Sequence, residues 1–109
     1  MSFSIVYTAE FEKEIKKLAK KYPSISKDFS SFLESLKQDP IQWVSLGKKI
    51  YKVRLLISGK NTGKSGGARV ITYVGIINEE VILLSIYDKS VRITITEKEI
   101  KERLKRYLQ

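Results

Sequence analysis

An α+β fold, with an N-terminal helical hairpin and a C-terminal helix packed on a small, largely antiparallel sheet, is what this chain predicts. Three observations carry the prediction. Two stretches of helical periodicity follow one another with only a break at Pro23 between them. Three later stretches have the length and apolar pattern of strands. A T-x-x-E signature, Thr96 to Glu99, then opens a last helical stripe. The order is β-α-α-β-β-β-α, and at 109 residues the chain is most simply one domain spanning 1–109.

At the N-terminus, Phe3, Ile5 and Tyr7 alternate with Ser2, Ser4 and Val6, which is the period of a first strand. Thr8 is placed to cap the helix that follows, and Glu10 and Glu12 occupy its first turn, where the helix dipole favours anions. Phe11, Ile15, Leu18, Ala19 and Tyr22 then recur at helical spacing, with Lys13, Lys16, Lys17, Lys20 and Lys21 outside that stripe. A second helix, from Ser24 or Ser26 to Lys37, carries Ile25, Phe29, Phe32, Leu33 and Leu36. So short a break makes the pair an antiparallel hairpin.

Asp39-Pro40 stops the second helix, and a short connection through Trp43 and Leu46-Gly47 leads into a strand from Lys48 to Ile57. There Tyr51, Val53, Leu55 and Ile57 share one face and Lys48, Lys52 and Arg54 the other. Residues 58 to 67 are polar and glycine-rich, hence a loop. A strand resumes from Ala68 to Val74, with Arg69, Ile71 and Tyr73 on a common face, and Asn78-Glu79 supplies a turn. Val81 to Tyr87 is almost wholly apolar, as expected of a central strand covered on both sides. Ile100, Leu104, Tyr107 and Leu108 give the last helix its apolar face.

The charge is distributed unevenly. Between Asp39 and Glu79 there is no acid, while Lys48, Lys49, Lys52, Arg54, Lys60, Lys64 and Arg69 all fall in that window. These seven bases account for most of the net charge of +9, so the positive field is focused, and a field of that kind recruits a polyanion. The chain has no cysteine and no histidine, which removes disulfides, thiolate chemistry, the usual zinc sites and histidine-based acid–base catalysis. No apolar run approaches the roughly 20 residues of a membrane helix, and Met1 to Tyr7 lacks a signal-peptide layout. The expectation is a cytoplasmic protein with no membrane partner.

Residues 59 to 65 resemble a nucleotide-binding loop but fall one residue short of it, and they lead into a strand where such a loop must open a helix. The acids decorate helices, and Asp88 stands alone after the last strand, so no carboxylate cluster for a metal is expected and no cofactor is called for. Bases alone can still serve RNA, whose 2′-hydroxyl is a nucleophile already in the substrate. A crowded lysine can act as base and arginine can grip phosphate oxygens. Arg69, inside an apolar strand, is the leading candidate; Lys48, Lys49, Lys60 and Lys64 are equally compatible with solvated loop and edge positions. Tyr73 shares the Arg69 face and can stack on a base or simply pack.

These motifs also carry a resemblance. The helical hairpin ending in Asp39-Pro40, Leu46-Gly47, the run Tyr51 to Leu55, the segment GKSGGARVI from Gly63 to Ile71, and LLSIYDKS from Leu83 to Ser90 together resemble the RelE/ParE superfamily of bacterial toxins, most closely its HigB-like branch. The resemblance implies a RelE-like fold and the toxin of a type II toxin–antitoxin system. It implies an mRNA interferase, an endoribonuclease that inhibits translation by cutting message in the ribosomal A site through 2′-hydroxyl attack, without metal. Its partners would be a cognate antitoxin, ribosome-bound mRNA, and operator DNA only as the toxin–antitoxin complex. By the same resemblance, Arg69 matches the transition-state arginine, Lys89 the basic residue past the following strand, and Arg54 and Lys64 two further catalytic positions. Lys48, Lys49, Lys52, Lys60, Tyr73 and Tyr87 would contact RNA. A tyrosine that some ribosome-dependent members carry would fall near Ile95, so either Tyr87 or Tyr73 substitutes for it, or a lysine is the base, or the activity is weak. A ParE-like gyrase poison and a plain nucleic-acid-binding module are the rival readings.

Overall fold

The computed structural model describes residues 3–42, 44–58, 67–91 and 95–109. Strand β1 (Ser4–Tyr7) is followed by the hairpin of α1 (Ala9–Lys21) and α2 (Ile25–Gln38), then β2 (Val44–Gly47), β3 (Ile50–Leu55), β4 (Ala68–Gly75), β5 (Glu80–Asp88) and α3 (Glu97–Leu108). The caps expected at both outer helices form: Thr8 Oγ1 accepts from the Phe11 N–H and Thr96 Oγ1 from the Glu99 N–H, each at 3.1 Å. One expectation is corrected. The connection through Leu46-Gly47 is itself strand, because Val44 and Ser45 pair with Lys52 and Tyr51, so four strands and not three follow the helical hairpin. Its side chains are all exposed, which is why no buried periodicity announced it.

The five strands lie in the order β1-β5-β4-β3-β2, antiparallel except for the parallel β1–β5 pair. One face is covered by the helical hairpin. Phe11, Ile25, Phe32 and Leu36 meet Val53, Leu55, Val70, Val74, Val81, Leu83 and Ile86 there. The other face receives α3, whose Ile100 and Leu104 pack with Ile95 on Ile50, Ile71, Ile82 and Leu84. Burial on both sides is what makes β5 almost wholly apolar from Val81 to Tyr87.

A bulge in β5 decides which side chains face which layer. Ile71 pairs with Ser85 but Thr72 pairs with Leu83, leaving Leu84 as an extra residue opposite β4. Val81, Leu83 and then Ile86 therefore point to the helical hairpin, while Ile82, Leu84 and then Tyr87 point to the α3 side. Strict alternation would have put Tyr87 with Val81. Beyond Tyr7, where β1 ends, the outer edge of β5 is held by side chains instead of a strand. Glu14 Oε1 accepts the Ile86 N–H at 3.2 Å, and Arg103 Nη1 donates to the Leu84 carbonyl at 3.0 Å. The two side chains join in a bidentate pair at 2.9 and 3.0 Å, tying α1 to α3 around the bulge.

Candidate active site

On the α3-side face of the sheet, Arg54 of β3 stands opposite Arg69 of β4, and Arg69 stands opposite Tyr87 of β5. Three neighbouring strands thus present a row of two guanidiniums and a phenol. Lys52 lies two residues before Arg54 on the same face of β3, and Lys89 follows the end of β5. Arg69 is only 5% exposed and Tyr87 equally so. Burial first, and then the neighbouring Arg54 charge, push the Arg69 pKa below the ordinary arginine value, with Tyr87 acting in the opposite direction. A guanidinium remains charged under that pressure, so two cations are held side by side at a partly desolvated place, an arrangement suited to phosphate oxygens.

Asp88 anchors the end of the row. It is 4% exposed, and by alternation it points away from Tyr87 towards the helical hairpin. Its Oδ2 accepts from Tyr22 Oη at 2.9 Å, and its Oδ1 from the Ser90 N–H and Oγ at 2.9 and 2.7 Å. Lys21 Nζ lies 3.8 Å away. The turn that carries Lys89 is thereby fixed to both β5 and α1. At the other approach, Asp28 of α2 accepts from Ser58 N and Oγ at 2.9 Å each, which pins the chain at the end of β3. Beside the row, a groove of about 640 Å³ runs along the outer edge of β5 between Lys17, Lys21, Tyr87 and Val91.

The expected residues divide accordingly. Arg54, Arg69, Tyr87 and Lys52 share one face, with Lys89 at its edge. Tyr73 is two same-face positions from Arg69, with Ile71 between, and packs in the α3 cluster opposite Ile50 and Ile82. The structure does not bring it to the arginines. Lys48 and Lys49 form the β2–β3 turn, at the far end of β3 from Arg54. Lys60 and Lys64 lie outside the described residues. Ile95 is buried beneath α3, so a side chain at that position belongs to the core and not to the row. Glu14 and Arg103 were missed, and no local pattern marks a contact between residues 89 apart. Among the described residues no group of three or more acids could hold a metal ion, and no helix is long and apolar enough to cross a membrane.

No family model matches the chain, and no curated protein matches it. Solved structures do. A doubly substituted mutant of E. coli toxin RelE in the free state is similar over 97% of this chain and 98% of its own, with a TM-score of 0.64 and 18% identity. The chain has the RelE fold. In the intact E. coli RelBE toxin–antitoxin complex, RelE-fold similarity covers 78% of this chain and 94% of the matched chain, at a TM-score of 0.58 and 17% identity. The RelBE2 toxin–antitoxin complex of Mycobacterium tuberculosis gives 81% and 92%, with a TM-score of 0.56 and 11% identity. At these identities the likeness establishes the RelE fold, and the chemistry must be argued from the residues.

Proposed function

We propose that this chain is the toxin of a type II toxin–antitoxin pair, a HigB-like mRNA endoribonuclease that cuts ribosome-bound message by 2′-hydroxyl attack. The observation that carries the reading is the Arg54–Arg69–Tyr87 register on a RelE fold, flanked by Lys52 and Lys89. In that reaction the 2′-oxygen bonds to phosphorus and the 5′-oxygen leaves. One proton leaves the 2′-hydroxyl and one reaches the departing oxygen, giving a 2′,3′-cyclic phosphate and a 5′-hydroxyl. Arg69 and Arg54 hold the non-bridging oxygens as charge develops on them. The two proton transfers are assigned to Lys52 and Lys89, which flank the arginines, because the Tyr87 hydroxyl is buried in the row. A cognate antitoxin as partner is supported by the RelE-fold toxins solved with theirs. Operator DNA would be met only by the pair, and the site of action is the cytoplasm.

Expression without an antitoxin should stop incorporation of labelled amino acids before it stops DNA synthesis. Arg69→Ala should remain folded but lose on the order of 100-fold or more in cleavage, the cost of one positioned charge donor. Lysine there should restore only part, lacking the planar fork. A fully active Arg69→Ala variant overturns the site, and early loss of DNA synthesis with gyrase trapped on cut DNA overturns the ribonuclease reading.

A further inference from the structure

The β2–β3 hairpin turn is built from the wrong residues for stability. Gly47 pairs with Ile50, so Lys48 and Lys49 form a two-residue loop, and both have positive φ, 52° and 67°. That is the backbone of a type I′ turn, which asparagine-glycine or aspartate-glycine adopts readily and lysine does not. Gly47, at φ 87°, already takes the left-handed region, with nothing near the place of a Cβ. The conformation is held from outside: the Lys49 carbonyl accepts the Val74 N–H at 3.0 Å, and β2 and β3 close on either side. Neither lysine side chain is buried, so packing gives no reason for them.

What the two lysines contribute is charge at a fixed place. Lys101 of α3 stands near, paired with Glu97 at 2.9 Å, and the Lys48 charge reaches the same carboxylate. From the turn, β3 leads through Lys52 to Arg54, about 17 Å further on at roughly 3.3 Å per residue. We infer that the Lys48–Lys49 turn is a second phosphate-contact point, which holds the backbone of single-stranded RNA at a distance from the Arg54–Arg69 row. This rests on the ribonucleic-acid reading of that row and adds to it where the strand runs. It follows that the backbone strain is retained for binding and is dispensable for folding.

The test uses the full chain and a fluorescent 2′-O-methyl single-stranded RNA, which binds without being cut, titrated by anisotropy across a potassium chloride series. Lys48→Gln/Lys49→Gln should weaken binding about tenfold at low salt and flatten the log K against log salt slope by about 1.4, some 0.7 for each lost contact. Lys48→Asn/Lys49→Gly should show the same loss of slope while melting at least about 4 °C higher, because the strain is relieved. An unchanged slope in either variant overturns the proposal, as does an unmodified chain that binds this RNA without salt dependence. An asparagine-glycine variant that melts no higher overturns the strain argument. Because the probe cannot be cleaved, failure here is separate from failure of the ribonuclease reading, which the Arg69→Ala cleavage assay reports by itself.

Discussion

Replacing Arg103 with methionine should be among the most damaging single changes away from the apolar core. The guanidinium is 12% exposed and its Glu14 partner 25%, and it makes two bonds to that carboxylate and one to the Leu84 carbonyl. Burial alone would depress the Arg103 pKa, but the hydrogen bonds and charge of Glu14 outweigh it and raise the value. Methionine keeps the stem and removes all three bonds. It leaves Glu14 with the Ile86 N–H as its remaining partner in this clamp, and leaves the Leu84 carbonyl with the longer bond from Thr8 Oγ1 at 3.5 Å. Breaking a fully buried pair costs about 3–5 kcal/mol, and partial exposure reduces that to about 2–3 kcal/mol. For a chain of this size the melting temperature should fall by roughly 10–15 °C. Calorimetry reads that fall, and hydrogen exchange at the Ile86 amide should accelerate before the β4 amides do. The Glu14→Gln/Arg103→Met double variant should lose less than the two singles added together. A fall of under 2 °C, or strict additivity, would show that the pair does not hold the bulge.

Asp88→Ala should destabilise the chain by about 2 kcal/mol through loss of the Tyr22 and Ser90 bonds, and should slow cleavage beyond what unfolding explains, measured at a temperature where the variant is still native. Glu10 should make stability acid-sensitive. Its hydrogen bond with Arg106, at 3.0 Å to Nε, holds its pKa below the ordinary 4.5, so the contribution is fully present above that value and is lost as the pH falls through the lowered one. The melting-temperature gap between the native chain and Arg106→Gln should therefore be constant above pH 4.5 and close below it; a gap that survives at pH 2 refutes the linkage. Cleavage should persist in EDTA when ribosomes are kept intact by other means, and a 2′-deoxy nucleotide at the cut site should block it. Products bearing a 5′-phosphate would mean that water, not the substrate, is the nucleophile.

Much of the architecture was legible along the chain because it rests on local signals. Thr8 and Thr96 announce their helices through hydroxyls that reach only three residues ahead, and Phe11, Phe32 and Leu36 reveal their faces by spacing alone. Arg69 stood out for a similar reason: a charge within an apolar strand contrasts with its immediate neighbours. The fully exposed β2 gave no such contrast, and its existence depends on hydrogen bonds to β3.

The row of Arg54, Arg69 and Tyr87 belongs to the tertiary structure. Composition and order determine that the bases gather in the middle of the chain and that an almost wholly apolar central strand follows the helical hairpin. They do not determine a bulge at Leu84, because a bulge is a mismatch between two strands and neither strand records it alone. That single extra residue turns Tyr87 to the arginine face and Asp88 to the helices. It is held there by Glu14 and Arg103, whose contact exists only after α1 and α3 have closed on opposite sides of the sheet.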